Sequence, residues 1–516
     1  SESVFQKRHR RVIDAASRRC WLIDRLLTGS TLWLLWIIRR IISLDRRAYM
    51  LLSAGSLQPF LASIGMLRAH AVYLKAKDHC PAYRAFLESE GLPRNGRWKL
   101  SELPVTTKEN YVKKFSLTDR CYYGKLPAAG VVIDESSGSS GVPNNWVRSA
   151  EEREDVRRIL QLNYQLIYRD SGCILLNCFA LGPWATGMNV SMSLVDVGIL
   201  KSIGPDQKKL ENSLELFGPE YRYLIFGYPP FIKSFVDTTE LDLKKYRMDL
   251  IVGGEGISEP LRTHLLQYFQ TVISSYGASD LEINIGVETD LTINVRRLCM
   301  KDRQLSQTLF GREMPPMIFQ YNALDYIIET TPTGELIFTI GRQTSAAPKL
   351  RYNLHDLGGV MTHAELREKL ASHRIDISEL AKLQSRFPIL FVYGRSDLTV
   401  PFYGAKVYPT DLEEIINADM SLVKQINSFQ ISSYEDEAIN RRLKIRLETV
   451  KNLPSQLAPT EELHQTMFEG LCRVNQDFRE VTKMFDRSCV ELEIYEFETG
   501  PFKGRDIRVK NKYVAQ

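Results

Sequence analysis

Closely paired cysteines are missing from this sequence. It has 8 cysteines among 516 residues, and none forms a CxxC pair; the closest two are Cys173 and Cys178. Structural zinc sites are built from such pairs, so this class of site is not expected. Scattered cysteines fit reduced thiols in a cytosolic protein, and we therefore expect a cytoplasmic location.

An excess of charge and a long apolar run are also missing. The formal net charge is +5, and acidic and basic residues are interleaved except in KRHRR at residues 7–11, so no general nucleic-acid surface is expected. Within residues 21–44 the unbroken apolar run extends only from Leu32 to Ile38, whereas spanning a bilayer takes about 20 residues. We expect neither a spanning helix nor a cleaved secretory signal in this segment.

Residues 21–44 are nevertheless rich in tryptophan and leucine and are flanked by arginines. One interpretation is a helix that lies on an anionic membrane surface. The alternative is a helix that packs on its own domain. Both interpretations stay open, so peripheral membrane contact through this segment is one of two predictions for a cytoplasmic protein.

The composition is that of an ordinary soluble globular protein, with 44% apolar and 25% charged residues. A chain of this length exceeds one ordinary core, so two or three domains are expected. Residues 60–115 show helical patterns that glycine and proline interrupt. From about residue 130, short runs such as GVVIDE, CILLNCF and SLVDVGIL alternate with helical stretches, which predicts an α/β fold with parallel strands and crossover helices.

Three predicted strands end in loops rich in glycine, proline or serine: YLIFGYPP, DLIVGGEG and TVISSYGASD. Ligands of open α/β sheets bind at the carboxyl ends of strands, so these loops are expected to form a site. A boundary is predicted near residues 393–398, beyond which the pattern suits a small α+β domain. The predicted organisation is an N-terminal helical segment (1–60), a large domain (61–394) and a small C-terminal domain (395–516).

The most distinctive loop is Ser136-Ser137-Gly138-Ser139-Ser140-Gly141-Val142-Pro143, which directly follows a predicted strand. Its glycines allow backbone N–H groups to turn toward an anion, and its serines add hydroxyl donors, so the loop suits a polyphosphate. It is not a P-loop, because no lysine follows the second glycine. Taken alone, a loop of serine and glycine is more often a flexible linker.

Four further segments follow this loop in order: Gly253-Gly254-Glu255-Gly256, Tyr276-Gly277-Ala278-Ser279-Asp280, the stretch from Leu350 to Gly358, and Gly394-Arg395-Ser396-Asp397 with FYGAKVYP at residues 402–409. In order and spacing, the five segments resemble the adenylate-forming superfamily, most closely its phenylacetate-CoA ligase-like branch. The resemblance covers roughly residues 130–420. It implies a large α/β adenylation domain with mixed sheets and crossover helices, closed by a small mobile α+β domain.

The resemblance also implies roles for residues that match the family pattern. The first loop holds the β and γ phosphates of ATP in this family, which assigns phosphate binding to Ser136, Ser137, Gly138, Ser139, Ser140 and Gly141. Gly254 and Glu255 match a loop that lines the adenine pocket. Tyr276 and Gly277 match a segment whose tyrosine stacks on adenine.

Asp280 stands where the family has a glutamate that binds Mg²⁺. It is one methylene shorter, so the metal would be reached through water or shared with Glu282; a helix N-cap is the alternative role. Asp356 matches the aspartate that accepts hydrogen bonds from both ribose hydroxyls. Arg395 would contact ribose or phosphate, and Asp397 would be the hinge between two domain orientations.

Two residues near these segments carry less weight. Glu288 stands where the branch often has a further glutamate, and a role for it is not established by the pattern. His355 replaces a residue that is usually arginine or glycine, so we expect a structural histidine.

The resemblance places a catalytic lysine near the C-terminus, and the matching stretch here is Lys503-Gly504-Arg505-Asp506. Arg505 occupies the lysine position. We predict that Lys503 supplies the cation for adenylation, because arginine is bulkier and planar whereas the ammonium group is compact. Arg505, Lys510 and Lys512 are the alternatives, and a solvated surface role for the three lysines is equally open.

The function implied by the resemblance is ATP- and Mg²⁺-dependent activation of a carboxylic acid to an acyl-adenylate, with release of pyrophosphate and acyl transfer to coenzyme A. An amide-forming or carrier-protein-loading synthetase shares the first half-reaction. A non-enzymatic nucleotide-binding protein is the third interpretation. Trp184 and Tyr228 lie in loops that suit an apolar acid pocket or the core. The oligomeric state and the acid itself stay open.

Overall fold

The computed structural model describes residues 55–92, 98–136, 144–168, 172–381, 385–395, 400–451 and 458–503. The α-helices of these residues are α1 (Gln58–His79), α2 (Pro81–Ser89), α3 (Ala150–Tyr168), α4 (Ala185–Leu194), α5 (Gln207–Phe217), α6 (Pro229–Thr238), α7 (Glu259–Leu265), α8 (Asp290–Lys301), α9 (Arg303–Phe310), α10 (His363–Ser372), α11 (Pro409–Ala418), α12 (Met420–Gln425), α13 (Glu461–Val474) and α14 (Gln476–Thr482).

The strands of the described residues are β1 (Val132–Ser136), β2 (Asn144–Arg148), β3 (Ile174–Asn177), β4 (Ile199–Ser202), β5 (Arg222–Gly227), β6 (Arg247–Val252), β7 (Val272–Ala278), β8 (Glu282–Val287), β9 (Met317–Tyr321), β10 (Tyr326–Thr330), β11 (Glu335–Ile340), β12 (Tyr352–Met361), β13 (Ile389–Arg395), β14 (Val400–Phe402), β15 (Ala405–Val407), β16 (Ile426–Glu435), β17 (Arg441–Thr449) and β18 (Val490–Tyr495).

An 11-stranded mixed sheet forms the frame of the large part of the molecule, in the order β10-β11-β12-β13-β9-β8-β7-β6-β5-β3-β4. Strands β3 to β7 pair in parallel, and the pairs from β7 to β10 across the sheet are antiparallel. The parallel strands are short: β3 and β5 are apolar and buried almost throughout, as strands inside a parallel sheet require, and the edge strand β4 is partly exposed. Their carboxyl ends carry the three loops that the sequence singled out, so the predicted mixed α/β architecture is confirmed.

Two local expectations were wrong. GVVIDE does not join the parallel sheet; β1 pairs antiparallel with β2 in a separate two-stranded hairpin, with Ser136 opposite Asn144. In SLVDVGIL the helix α4 continues to Leu194, and β4 begins only at Ile199. The first residues of this segment therefore belong to a helix and the last ones to a strand, because a short apolar run is compatible with either structure.

The long helix α1 packs on the antiparallel half of the sheet. Arg68 forms a buried ion pair with Asp325 at 2.8 Å and also donates to the carbonyl of Leu324. A Cβ at Gly65 would lie 2.2 Å from the carbonyl oxygen of Ala323, so glycine allows the helix to approach this turn. No helix in the described ranges is long and apolar enough to cross a membrane.

Residues 400–503, called the C-terminal part below, have a core of their own. The three-stranded sheet β16-β17-β18 packs against α11, α13 and α14, and the β14-β15 hairpin lies beside it. This part contains both helices and strands, as the predicted small α+β domain requires. The cysteines in the described residues are all free thiols.

Gly358 offers a test of how tightly β12 is fitted. A Cβ at this position would lie 2.0 Å from the carbonyl oxygen of Phe391 on β13. We expect Gly358→Ala to lower the free energy of unfolding by about 1–3 kcal/mol, the usual cost of overpacking, measured by urea denaturation. Gly256→Ala is the matched control, because its nearest neighbour would be Met317 Cγ at an ordinary 3.4 Å. Equal stability of the two variants would contradict the packing of β12 on β13.

Candidate active site

A cavity of about 630 Å³ opens at the carboxyl ends of the parallel strands and extends to the C-terminal part. It is called the central cavity below. Six of the residues predicted from the sequence line it through the loops after β3, β5, β6 and within β7: Trp184, Tyr228, Gly254, Glu255, Tyr276 and Gly277. Asp356 and Arg395 line it from the antiparallel half. The structure thus brings together segments up to about 210 residues apart in sequence.

Asp356 and Arg395 face each other because β12 and β13 pair in register at these two residues. Arg395 Nη1 lies 3.6 Å from Asp356 Oδ1, and the Tyr276 hydroxyl donates to Asp356 Oδ2 at 2.5 Å. Burial and the neighbouring Asp356 carboxylate raise the pKa of Tyr276 well above its usual value, so the phenol stays a hydrogen-bond donor. The carboxylate predicted to bind ribose is held from both sides.

The ring of Tyr276 is fixed by two phenylalanines. It stacks on Phe338 at a centroid distance of 6.3 Å and tilts against Phe319 at 5.5 Å. These contacts leave the hydroxyl directed at Asp356. The predicted stacking of Tyr276 on adenine stays a prediction.

Asp280 lies in the turn between β7 and β8. The Tyr352 hydroxyl donates to its Oδ2 at 3.0 Å, and Lys108 Nζ lies 3.6 Å from the same oxygen. Burial opposes the charge of Lys108, but the Asp280 carboxylate and further neighbours raise its pKa above the ordinary value. Glu282 Oε2 forms a buried ion pair with Arg342 and accepts a hydrogen bond from Tyr326, and sharing of a metal with Glu282 stays a prediction.

Mg²⁺ fits this site in a limited way. Within the ranges that the structure describes, no three His, Cys, Asp or Glu side chains converge as a metal cage. Mg²⁺ is commonly held by one or two carboxylates together with substrate phosphates and water. Asp280 therefore fits the ion as a single protein ligand, provided that phosphates complete the coordination.

Arg148 holds the turn that contains Asp280. Its guanidinium donates to the carbonyls of Ser279 and Leu281, each at 2.5 Å, and these are the two residues that flank Asp280. The charge is balanced by Asp134 at 3.1 Å and Glu152 at 3.4 Å. Sequence reasoning missed Arg148, because nothing in the pattern NNWVRS indicates which carbonyls a buried arginine will meet.

Glu255 connects the adenine-type loop to the C-terminal part. Its Oε2 accepts a hydrogen bond from the backbone N–H of Gly404 at 3.2 Å. Burial raises the pKa of Glu255, and nearby Arg441 opposes that shift. The ring of Tyr228 lies beside the same contact, since a Cβ at either Gly254 or Gly404 would meet Tyr228 Cε1 within 2.9 Å.

Lys406 is a second residue that the sequence analysis did not weigh, although it lies in the quoted segment FYGAKVYP. It lines the central cavity from β15. Burial and the charge of Arg395 lower the pKa of Lys406 to about 8. By its accessible surface Lys406 is half-buried, which is uncommon for a lysine.

Several of the other predicted residues fall outside the described part of the chain. Ser136 ends β1, and the rest of the phosphate loop, Ser137, Gly138, Ser139, Ser140 and Gly141, lies outside the described residues, as do Asp397, Arg505 and the segment 21–44. Lys503 is exposed and is not among the residues that line the central cavity.

Glu288 and His355 have structural partners. Arg262 donates to Glu288 at 2.7 Å, and the Ser274 amide donates to the same carboxylate. His355 lies 3.3 Å from Glu335, as expected for a structural histidine.

One end of the central cavity is apolar. Its lining residues there come from α3, α4, β5 and β6: Leu160, Tyr164, Val190, Leu194, Phe226 and Ile251. Trp184 stands at the start of α4, and Tyr228 packs edge-on against Phe179 at 5.0 Å. The cavity therefore has one end with ionised groups and one end suited to an apolar body.

Comparison with known proteins identified similar solved structures only. No protein-family model matches the chain, and no curated protein matches it. A structure of 2-hydroxyisobutyryl-CoA ligase with 2-HIB-AMP and CoA in the thioesterification state is 13% identical, with 90% of each chain covered and a TM-score of 0.59. The same ligase with R3-HIB-AMP in the postadenylation state is 13% identical over 88% of each chain, with a TM-score of 0.51. The chain therefore shares the fold of this ligase over most of its length.

We predict that Arg148 holds the Asp280 turn. Arg148→Lys keeps the charge but cannot reach both carbonyls and both carboxylates, so the free energy of unfolding should fall by about 1.5–3 kcal/mol. Hydrogen exchange should also become faster in peptides that cover residues 276–284. Arg153→Lys on α3 is the control, because Arg153 donates to the carbonyl of Gly130 near the surface. Unchanged exchange in the turn would show that Arg148 does not position it.

Proposed function

We propose that this protein activates a carboxylic acid with ATP and then transfers the acyl group. In the first step a carboxylate oxygen attacks the α-phosphorus of ATP, the bond to the β-phosphate oxygen breaks, and pyrophosphate leaves. The product is an acyl-adenylate. This chemistry depends on positioning and on charge stabilisation more than on covalent catalysis.

The observation that carries the proposal is the group formed by Asp356, Arg395 and Tyr276 in the central cavity, which is also lined by Ser279, the residue before Asp280. An ionised carboxylate whose oxygens only accept hydrogen bonds suits the ribose hydroxyls, and Arg395 beside it suits a phosphate. The fold match to ligase structures that contain an acyl-adenylate supports the same assignment. Mg²⁺, when bound at Asp280, would neutralise charge on the phosphates.

The transfer step is proposed to use coenzyme A. The structure of the ligase that contains CoA in the thioesterification state gives a TM-score of 0.59, above the 0.51 of the postadenylation state, which supports an arrangement suited to transfer. We propose residues 61–394 as the adenylation domain and 395–516 as a mobile lid that turns at Asp397. Lys503 would then approach the α-phosphate in the other orientation.

The acid is proposed to have an apolar body, because the end of the central cavity away from Asp356 is lined by aliphatic and aromatic residues. Trp184 and Tyr228 would bound this pocket. The phenylacetate-CoA ligase-like branch fits such an acid, and it rests on the sequence resemblance. An amide-forming or carrier-protein-loading synthetase is the alternative, which differs only in the acceptor.

The decisive experiment is ATP–pyrophosphate exchange with a panel of aliphatic and aromatic carboxylic acids. We expect exchange that depends on Mg²⁺ and on at least one apolar acid, because adenylation is reversible while the acyl-adenylate stays bound. Coenzyme A, hydroxylamine and amines are then added to the enzyme that holds the acyl-adenylate, and the product formed identifies the acceptor class. Binding of ATP without exchange for any acid would favour a non-enzymatic nucleotide-binding protein.

Asp356 provides a test of the nucleotide orientation. Asp356→Ala should weaken ATP binding in calorimetry by about 1.5–3 kcal/mol, the value of a hydrogen bond to a charged group. The wild type should lose a similar amount with 2′,3′-dideoxy-ATP, and the variant should not distinguish the two nucleotides. Asp376→Ala, which removes an exposed aspartate that caps a short turn, is the control. A variant that still discriminates between the two nucleotides would refute the ribose assignment.

A further inference from the structure

The β14-β15 hairpin presents Lys406 to the central cavity. Val400, Phe402 and Val407 are buried in the core of the C-terminal part. Since successive side chains of a strand point to opposite faces, Lys406 and its register partner Pro401 face away from that core, and both line the cavity.

Backbone contacts fix the hairpin on both sides. The Gly404 amide donates to Glu255 of the large part at 3.2 Å. The Lys406 carbonyl accepts a hydrogen bond from Asn475 Nδ2 of the C-terminal part at 2.8 Å. The ammonium group is therefore carried by a backbone that both parts of the molecule hold in place.

The charges around Lys406 come from four elements. Arg395 on β13, Lys108 in the turn Lys108–Val112, Asp280 between β7 and β8, and Asp356 on β12 all act on its ammonium group. Together with Lys406, these are three cations and two carboxylates. Among the described residues, none forms an ion pair or hydrogen bond with the Lys406 ammonium. Among these five groups the cations exceed the carboxylates by one, and of the five Asp356, Arg395 and Lys406 line the central cavity.

We propose that Lys406 binds the phosphate of the acyl-adenylate in this arrangement and stabilises AMP as the leaving group of acyl transfer. The proposal rests on the proposed function and adds a catalytic residue to it. It also gives the two lysines different roles. Lys406 acts in the arrangement described here, in which Lys503 is exposed.

The transfer step explains why a cation is needed there. The acceptor, a thiol or an amine, attacks the acyl carbon, and the bond between that carbon and the phosphate oxygen breaks. The electron pair goes to the phosphate oxygen, so AMP gains negative charge, and the acceptor's proton is released to water. A preorganised ammonium group beside that oxygen stabilises the charge as it develops.

The first test measures binding and needs no turnover. AMP and adenosine are titrated calorimetrically into the full chain without Mg²⁺, for wild type, Lys406→Gln and Lys406→Arg. We expect the ratio of AMP to adenosine affinity to fall at least tenfold in Lys406→Gln, with adenosine affinity unchanged, and to be largely restored in Lys406→Arg. Lys483→Gln is the control: this lysine also belongs to the C-terminal part, but its side chain is 65% exposed.

The second test separates the half-reactions. We expect Lys406→Gln to slow single-turnover transfer from the acyl-adenylate at least tenfold, while pyrophosphate exchange changes less than threefold. A variant that retains both the AMP preference and the transfer rate overturns the proposal for Lys406. If the wild type itself showed neither adenosine binding nor pyrophosphate exchange, the proposed function would be overturned, and the role of Lys406 with it.

Discussion

The antiparallel pairing of β12 with β13 sets the position of the groups that converge on the central cavity. Asp356 and Arg395 meet because they are opposite each other in this register. A shift of one strand by one residue would turn that strand's side chain to the other face of the sheet and separate the pair. The same strand β13 ends at Arg395, and the next described residue, Val400, begins β14 of the C-terminal part.

Buried ion pairs also hold the turn at Asp280 in place. Arg148 joins β2 to the carbonyls around Asp280, and Glu152 on α3 balances Arg148 and Lys349 together. Such ion pairs contribute little net stability when compared with apolar residues of similar size. Their value here is geometric, because carbonyl oxygens on both sides of Asp280 are held by one rigid guanidinium group.

The sequence predicted the α/β class, the glycine-containing loops at strand ends and eight of the residues that line the cavity. Those predictions worked because loops such as GGEG and YGASD have a recognisable local order. Arg148 and Lys406 were missed, since their roles depend on partners 133 and 126 residues away, at Leu281 and Asp280. The hairpin β1-β2 was assigned to the wrong sheet, because strand pairing is decided by tertiary contacts that a single apolar run does not encode.

The backbone anchoring of the β14-β15 hairpin has an evolutionary consequence. Its two fixed points are an amide at Gly404 and a carbonyl at Lys406, and neither uses the side chain of residue 406. Replacement of that side chain therefore leaves both of these backbone hydrogen bonds in place. Position 406 is a place where the electrostatic character of the cavity can diverge between descendants of one scaffold while their folding stays the same.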